Sequence, residues 1–199
     1  MPNVFKFQGM TPVIDPTAFV YPTATLIGDV IVGPGVFVGP GASLRGDFGR
    51  LILGEGSNFQ DNCIMHGFPD RDTVIGEDGH VGHGAIIHGA NVGRNALVGM
   101  NAVVLDYAEV GEEAMIAAGA VVRGGTIIPR RTLWAGIPAK QIKEMSDSDV
   151  AHKERGTRDY QNLAQLCRQH FHATKALSAV EPDRPRNYAT AITPKHLSS

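Results

Sequence analysis

Four of the eight histidines fall between residues 66 and 88: His66, His80, His83 and His88. Imidazole nitrogens bind divalent metals and act as general bases, so the question is which of the four share a face. His66 and His88 are 22 residues apart, and Arg45 lies 21 before His66. Each interval is one eighteen-residue period of the chain's apolar pattern plus a short insertion. Arg45, His66 and His88 therefore form one column, with neighbouring imidazoles about 5 Å apart. His83 follows an apolar lead residue by two positions and falls on the adjacent face, out of reach of a metal held by the other two in the same chain. A three-fold assembly would bring that face against a neighbour's column. The arithmetic points to a homotrimer with His66 and His88 from one subunit and His83 from the next. Three imidazoles with an open fourth position are what a catalytic zinc requires, and iron or cobalt suit the same donors. Any one of these histidines alone reads as an ordinary surface residue; the column is what favours ligands. His80 joins no column and reads as structural or supporting.

The period that sets these columns is an internal repeat. Apolar residues recur every six positions at Ile14, Val20, Leu26, Val32, Val38 and Leu44. After three extra residues the series resumes at Leu53, Phe59 and Met65, and after four more at Ile75, Val81 and Ile87. One residue is then dropped, and it runs from Val92 in steps of six to Ile128. An apolar residue every six, followed by turn formers such as Gly33-Pro34-Gly35, fits neither a helical period nor a simple alternating strand. It fits a short strand and a turn, three per coil, stacked as an all-β triangular prism of about six coils over residues 14–133. The 24 glycines and the 7% aromatic content follow from tight corners around a narrow core.

Beyond Ile128 the pattern decays through Gly136-Ile137-Pro138. Ser146 with Asp149 three residues on resembles a capping box. Tyr160, Leu163, Leu166, Cys167 and Phe171 then recur at helical spacing, with Gly156 expected to interrupt the helix. The divisions are a lead-in over 1–13, the prism over 14–138, a helical segment over 139–180 and a polar tail over 181–199. Net charge is -2, which argues against a dedicated nucleic-acid binder, and 43% hydrophobic content excludes overall disorder. Two cysteines, no apolar run of membrane-spanning length and no secretory leader at Met1–Lys6 fit a cytoplasmic protein.

Asn58-Phe59-Gln60-Asp61-Asn62-Cys63-Ile64-Met65-His66, Gly82-His83-Gly84-Ala85-Ile86-Ile87-His88-Gly89 and the upstream Arg45-Gly46-Asp47 resemble the γ-class carbonic anhydrase family of hexapeptide-repeat proteins. The resemblance implies a left-handed parallel β-helix, a trimer, and zinc held at each subunit interface by His66, His83 and His88. It implies that Arg45 and Asp47 form an intersubunit ion pair, and that Gln60, with Asn58 beside it, lies near the metal-bound water. Leu44–Arg50, Gly76–His80, Ala96–Asn101 and Gly156–Gln161 are similar to the phenylacetate-degradation branch and its carnitine-metabolism sister. The first implies a thioesterase that attacks ring-type acyl-CoA esters with hydroxide activated on the metal.

Two features separate the chain from anhydrases of that family. Phe48 stands where they carry a glutamate, and Gly67-Phe68-Pro69-Asp70-Arg71-Asp72 replaces an acidic proton-shuttling loop. Fast CO2 hydration needs rapid proton export, so hydrolysis of a thioester is the leading expectation and CO2 hydration the alternative. Phe48 and Phe68 could wall an acyl pocket. A tyrosine that relatives place near the site has no counterpart around Leu133-Trp134. Gly136-Ile137-Pro138-Ala139-Lys140 resembles a segment of CoA-dependent acyltransferases, which keeps transfer open, as does a non-catalytic trimeric accessory role.

Overall fold

In the computed structural model, which describes residues 1–185, the six-residue units form three parallel faces of a left-handed β-helix of about seven turns. The first face stacks Ile64–His66, Ile86–His88, Val103–Val104 and Val121–Val122 onto the leading parts of two long strands, Thr25–Val32 and Ser43–Leu53. Those long strands turn a corner and continue into the second face, so the two faces form one 12-stranded sheet. The third face runs from Phe19–Val20 to Thr132–Ala135 and ends on the antiparallel strand Lys140–Glu144.

The prism is one coil longer than the six-residue stepping predicts. Asn3–Phe5 pairs in parallel with Thr25–Ile27, so part of the expected lead-in is a rung. At the other end Trp134 pairs with Ile116, and its partly buried side chain packs on the core. The stepping ran out at both ends because neither end keeps the apolar-then-turn unit.

Lead residues fill the interior: Leu26, Leu44, Phe59, Met65, Ile75 and Ile87 have no solvent exposure. The small residue two positions before many leads, such as Ala42, Cys63, Ala85 and Ala96, is equally buried and leaves room for the larger neighbour. Cys63 is such a packing residue. Burial pushes its thiol up to about 11, and its Sγ lies 3.1 Å from the Gly82 carbonyl. Glycine serves two purposes in this repeat. Gly41 occupies a corner with φ +71, whereas Gly39 lies flat against the next coil, where a Cβ would stand 2.6 Å from the Asp61 nitrogen.

Among the described residues a single helix, Asp147–His170, returns along the third face. Its 24 residues span about 36 Å, which matches seven coils at about 4.8 Å each. The capping box is present, with Ser146 and Asp149 bonding each other's backbone nitrogens. The helix runs unbroken through Gly156, and residues 171–180 lie beyond it. At its far end Phe171 packs among Phe19 and Tyr21, at ring separations of 5.6 and 4.9 Å. Among the described residues no helix is long and apolar enough to cross a membrane. Residues 186–199 of the expected polar tail lie outside the described residues.

Candidate functional site

Strand register sets the first group. Arg45 pairs with His66, and His66 with His88, as Cα partners on three successive coils. The three-residue insertion after Gly46 swings Asp47 back toward the column. Its Oδ1 lies 3.0 Å from His66 Nε2, and its Oδ2 accepts from Arg45 Nη1 at 2.7 Å. Burial alone would raise the Asp47 carboxyl, but the hydrogen bonds from Arg45 and His66 outweigh it and hold the group below its ordinary value. The Arg45–Asp47 ion pair thus closes within one chain.

On the other side, His88 Nδ1 lies 2.5 Å from Asp106 Oδ1, one coil further on. Each imidazole has one nitrogen committed to a carboxylate. The two remaining nitrogens, His66 Nδ1 and His88 Nε2, face each other at 3.2 Å. In singly protonated rings that donate to their carboxylates, both facing nitrogens present lone pairs, an arrangement that calls for a shared cation. Two ligands of one tetrahedral zinc stand about 3.3 Å apart, so the spacing fits. Carboxylates behind ligand imidazoles are the usual means of fixing tautomer and ring orientation. Phe48 lies 5.2 Å from the His66 ring, and Phe68 packs edge-on to His88 at 5.1 Å.

His83 lies on another surface. Its Nδ1 is 2.6 Å from Asp61 Oδ2, and its Nε2 is 3.4 Å from the Tyr160 hydroxyl on the helix. Burial pushes the Tyr160 hydroxyl up to about 12, so it is a neutral donor near neutral pH. Tyr160 arrives from the C-terminal helix and not from the strand around Trp134. No group of three metal-ligating side chains occurs within one chain among the described residues.

Gln60 and Asn58 are placed on the His83 side, under the helix, and are 2% and 1% exposed. Gln60 Nε2 donates to Asn58 Oδ1 at 2.8 Å and lies 2.8 Å from His80 Nε2. In one chain they therefore support His80 rather than border the His66–His88 pair. Burial drives the His80 imidazole down to about 3. Lys153 is also buried, and burial pushes it down to about 7; its Nζ donates to the Asp78 carbonyl and to Asn95 Oδ1, both at 2.6 Å. These contacts lock the helix to the prism.

Asp106 and Asp61 were missed by the sequence reading, yet the coil arithmetic contained them. Asp106 lies 18 after His88, and Asp61 lies 22 before His83. Of the insertion-loop acids, Asp70 accepts from the Tyr107 hydroxyl at 3.1 Å, and Asp72 lines a surface cavity with Asp47 and Phe48.

The parallel solenoid, its six-residue unit and its C-terminal helix define a class, and the chain belongs to the hexapeptide-repeat transferase family. Residues 89–124 match the family model "Bacterial transferase hexapeptide (six repeats)". The chain is 51% identical to the carnitine operon protein CaiE of Escherichia coli O157:H7, over 97% of this chain and 99% of that protein. Among solved structures, a hexapeptide transferase family protein from Anaplasma phagocytophilum is 37% identical with a TM-score of 0.79, covering 82% of this chain and 96% of that one. A candidate acetyltransferase from Bacillus cereus is 34% identical with a TM-score of 0.83, covering 84% and 98% respectively.

Proposed function

We propose that this protein is a metal-dependent acyl-CoA hydrolase whose reacting centre is completed between copies of a homotrimer. The observation that carries the reading is the His66–His88 pair, two ring nitrogens 3.2 Å apart with a carboxylate behind each ring. His83 of a neighbouring copy would be the third ligand, and zinc, iron or cobalt would suit the set. A metal held there would supply an activated water and polarise a thioester carbonyl. Asp47 and Asp106 fix the two rings, and Arg45 keeps Asp47 ionised and in place. Phe48 and Phe68 flank the imidazoles at 5.2 and 5.1 Å and would give an acyl group apolar contact. Gln60 and Asn58 would reach the centre only from the copy that donates His83.

The relatives found are carnitine-operon proteins, so we assign the acyl group to that branch and not to the ring-type esters of the phenylacetate branch. CO2 hydration is a lesser reading, because Phe48 stands beside His66 where the anhydrases carry a glutamate. Acyl transfer is a second reading with its own observation: Asp61 holds His83 Nδ1 at 2.6 Å, as a general-base dyad requires, in a family of transferases.

A panel of acyl-CoA esters, followed by free-thiol release with and without acceptor, separates these readings. Hydrolysis predicts release without acceptor, lost on chelation and in His66→Ala. Release only with acceptor, insensitive to chelation and lost in His83→Ala, would establish transfer in its place. No release from any ester by the metal-loaded trimer would leave an accessory role. Stopped-flow CO2 hydration tests the remaining alternative.

A further inference from the structure

The corner beside His88 carries a residue that its backbone disfavours. Gly89, Tyr107 and Gly125 turn this corner on three successive coils, with φ of 58, 60 and 69. The Tyr107 amide donates to the Gly89 carbonyl at 2.8 Å, and the Gly125 amide to the Asp106 carbonyl at 2.7 Å. Glycine takes this left-handed conformation freely, whereas a bulky side chain is strained in it. Elsewhere Asn62, Asn95 and Asn101 hold the same conformation. Among the described residues Tyr107 is the one aromatic that does so. Burial does not explain the ring, since Tyr107 is 45% exposed.

What the ring holds is the 67–72 loop that leaves His66. Phe68 stacks on Tyr107, with centroids 5.6 Å apart and planes within 2°. Asp70 Oδ2 accepts from the Tyr107 hydroxyl at 3.1 Å, and Arg71 Cζ lies 5.3 Å from the ring centroid. The bond to Asp70 raises the hydroxyl above its ordinary value, so it stays a donor. Arg71 also pairs with Glu109, two residues beyond Tyr107, at 2.5 Å. Phe68 is thereby seated over Gly89, where a Cβ would come within 2.7 Å of its ring, and edge-on to His88 at 5.1 Å. One corner thus acts twice on one imidazole. Asp106 meets His88 Nδ1 at 2.5 Å, and the next residue holds the phenyl that borders the same ring.

We propose that Tyr107 is a positioning residue: by clasping the 67–72 loop it keeps Phe68 against His88, and the acyl group of the substrate is bound against that phenyl. This role rests on the reading of the imidazole pair as the reacting centre. Tyr107 acts only through Phe68. The coils on either side turn the same corner with glycine, so the chain path does not need the ring, and its strain is offset by the loop contacts alone. Apolar contact with an acyl chain is made in the ground state and the transition state alike, so its loss appears in KM more than in kcat.

The test uses Tyr107→Gly, which gives this corner the residue of its neighbours, and Tyr107→Phe, which keeps the stack without the bond to Asp70. Tyr107→Asn serves if the glycine variant does not fold, because Asn101 holds the same backbone conformation. Amide hydrogen exchange over 67–72 in the full chain should be about tenfold faster in Tyr107→Gly, and Tyr107→Phe should recover most of the protection. In the metal-loaded protein, KM for thiol release from butyryl-CoA should rise about tenfold in Tyr107→Gly and in Phe68→Ala, with kcat and bound metal little altered. Adding Tyr107→Gly to Phe68→Ala should change KM no further. Unchanged exchange, an unchanged KM in Tyr107→Gly, or a further rise in the double variant would overturn the role of Tyr107. Faster exchange in Tyr107→Gly, with no thiol release from butyryl-CoA by the unaltered protein, would overturn the hydrolase reading and the binding of the acyl group, and leave the clasp on the loop standing.

Discussion

His66 Nδ1 and His88 Nε2 lie 3.2 Å apart, on rings whose other nitrogens face Asp47 and Asp106. Where both rings donate to their carboxylates, the two facing lone pairs repel unless a cation stands between them. Removing either ring should abolish tight metal binding rather than merely weaken it, because one imidazole plus a distant carboxylate is a poor site. His66→Ala and His88→Ala are each expected to retain about a tenth or less of the metal carried by the unaltered protein, measured by elemental analysis after gel filtration. Full occupancy in both variants would remove the centre from this column.

In the proposed centre Asp106 would act on the metal only through His88. Asn keeps the size of the side chain but can present an amide N–H to Nδ1 and favour the wrong tautomer. Asp106→Asn is expected to lower metal affinity about 10- to 100-fold in chelator competition, with the fold unchanged. Asp61→Asn should act similarly through His83 if a neighbouring copy supplies that ring. Unaltered affinity in Asp106→Asn would mean that the 2.5 Å contact does not orient the ligand.

The columns were legible because a solenoid converts sequence distance into height. Once the lead residues are fixed, Arg45, His66 and His88 fall on one line by counting, and register confirms it. The same counting placed His83 on another face. The helix obeys no such rule. It brings Tyr160 to His83 and covers Gln60, Asn58 and His80 by contacts between residues about 60 to 105 apart, which no local pattern encodes. Gln60 lies under that helix, on the His83 side of the prism.

Acid should loosen that helix first. His80 is neutral in the folded protein down to about pH 3, whereas its unfolded counterpart takes up a proton near 6.5. Between those values the unfolded state binds more protons, so stability falls as pH falls from about 6.5 toward 3. Urea midpoints measured across that range should drop more steeply in the unaltered protein than in His80→Gln, which has no titrating ring. The difference should reach on the order of a few kcal/mol. Parallel pH profiles in the two proteins would assign the acid sensitivity to another group.

Gly156 and Lys153 stand one turn apart on the helix and predict opposite signs. Gly156 is helical and does not adopt positive φ, and a Cβ there would make only ordinary contact, 3.9 Å from His80 Cε1. Nothing at this position requires glycine, and the helix continues through it because the capping box and the packing of Tyr160 and Thr157 hold both flanks. Gly156→Ala is expected to stabilise the protein by about 0.5–1 kcal/mol, by removing backbone freedom from the unfolded chain. Lys153→Ala withdraws the donor that Asp78 and Asn95 share. Each acceptor left without a partner costs about 1–3 kcal/mol, so that variant should be destabilised and should expose the helix to limited proteolysis. Thermal melts of the two variants side by side test both signs, and a destabilised Gly156→Ala would mean that the helix meets the prism more closely at this turn than the 3.9 Å approach indicates.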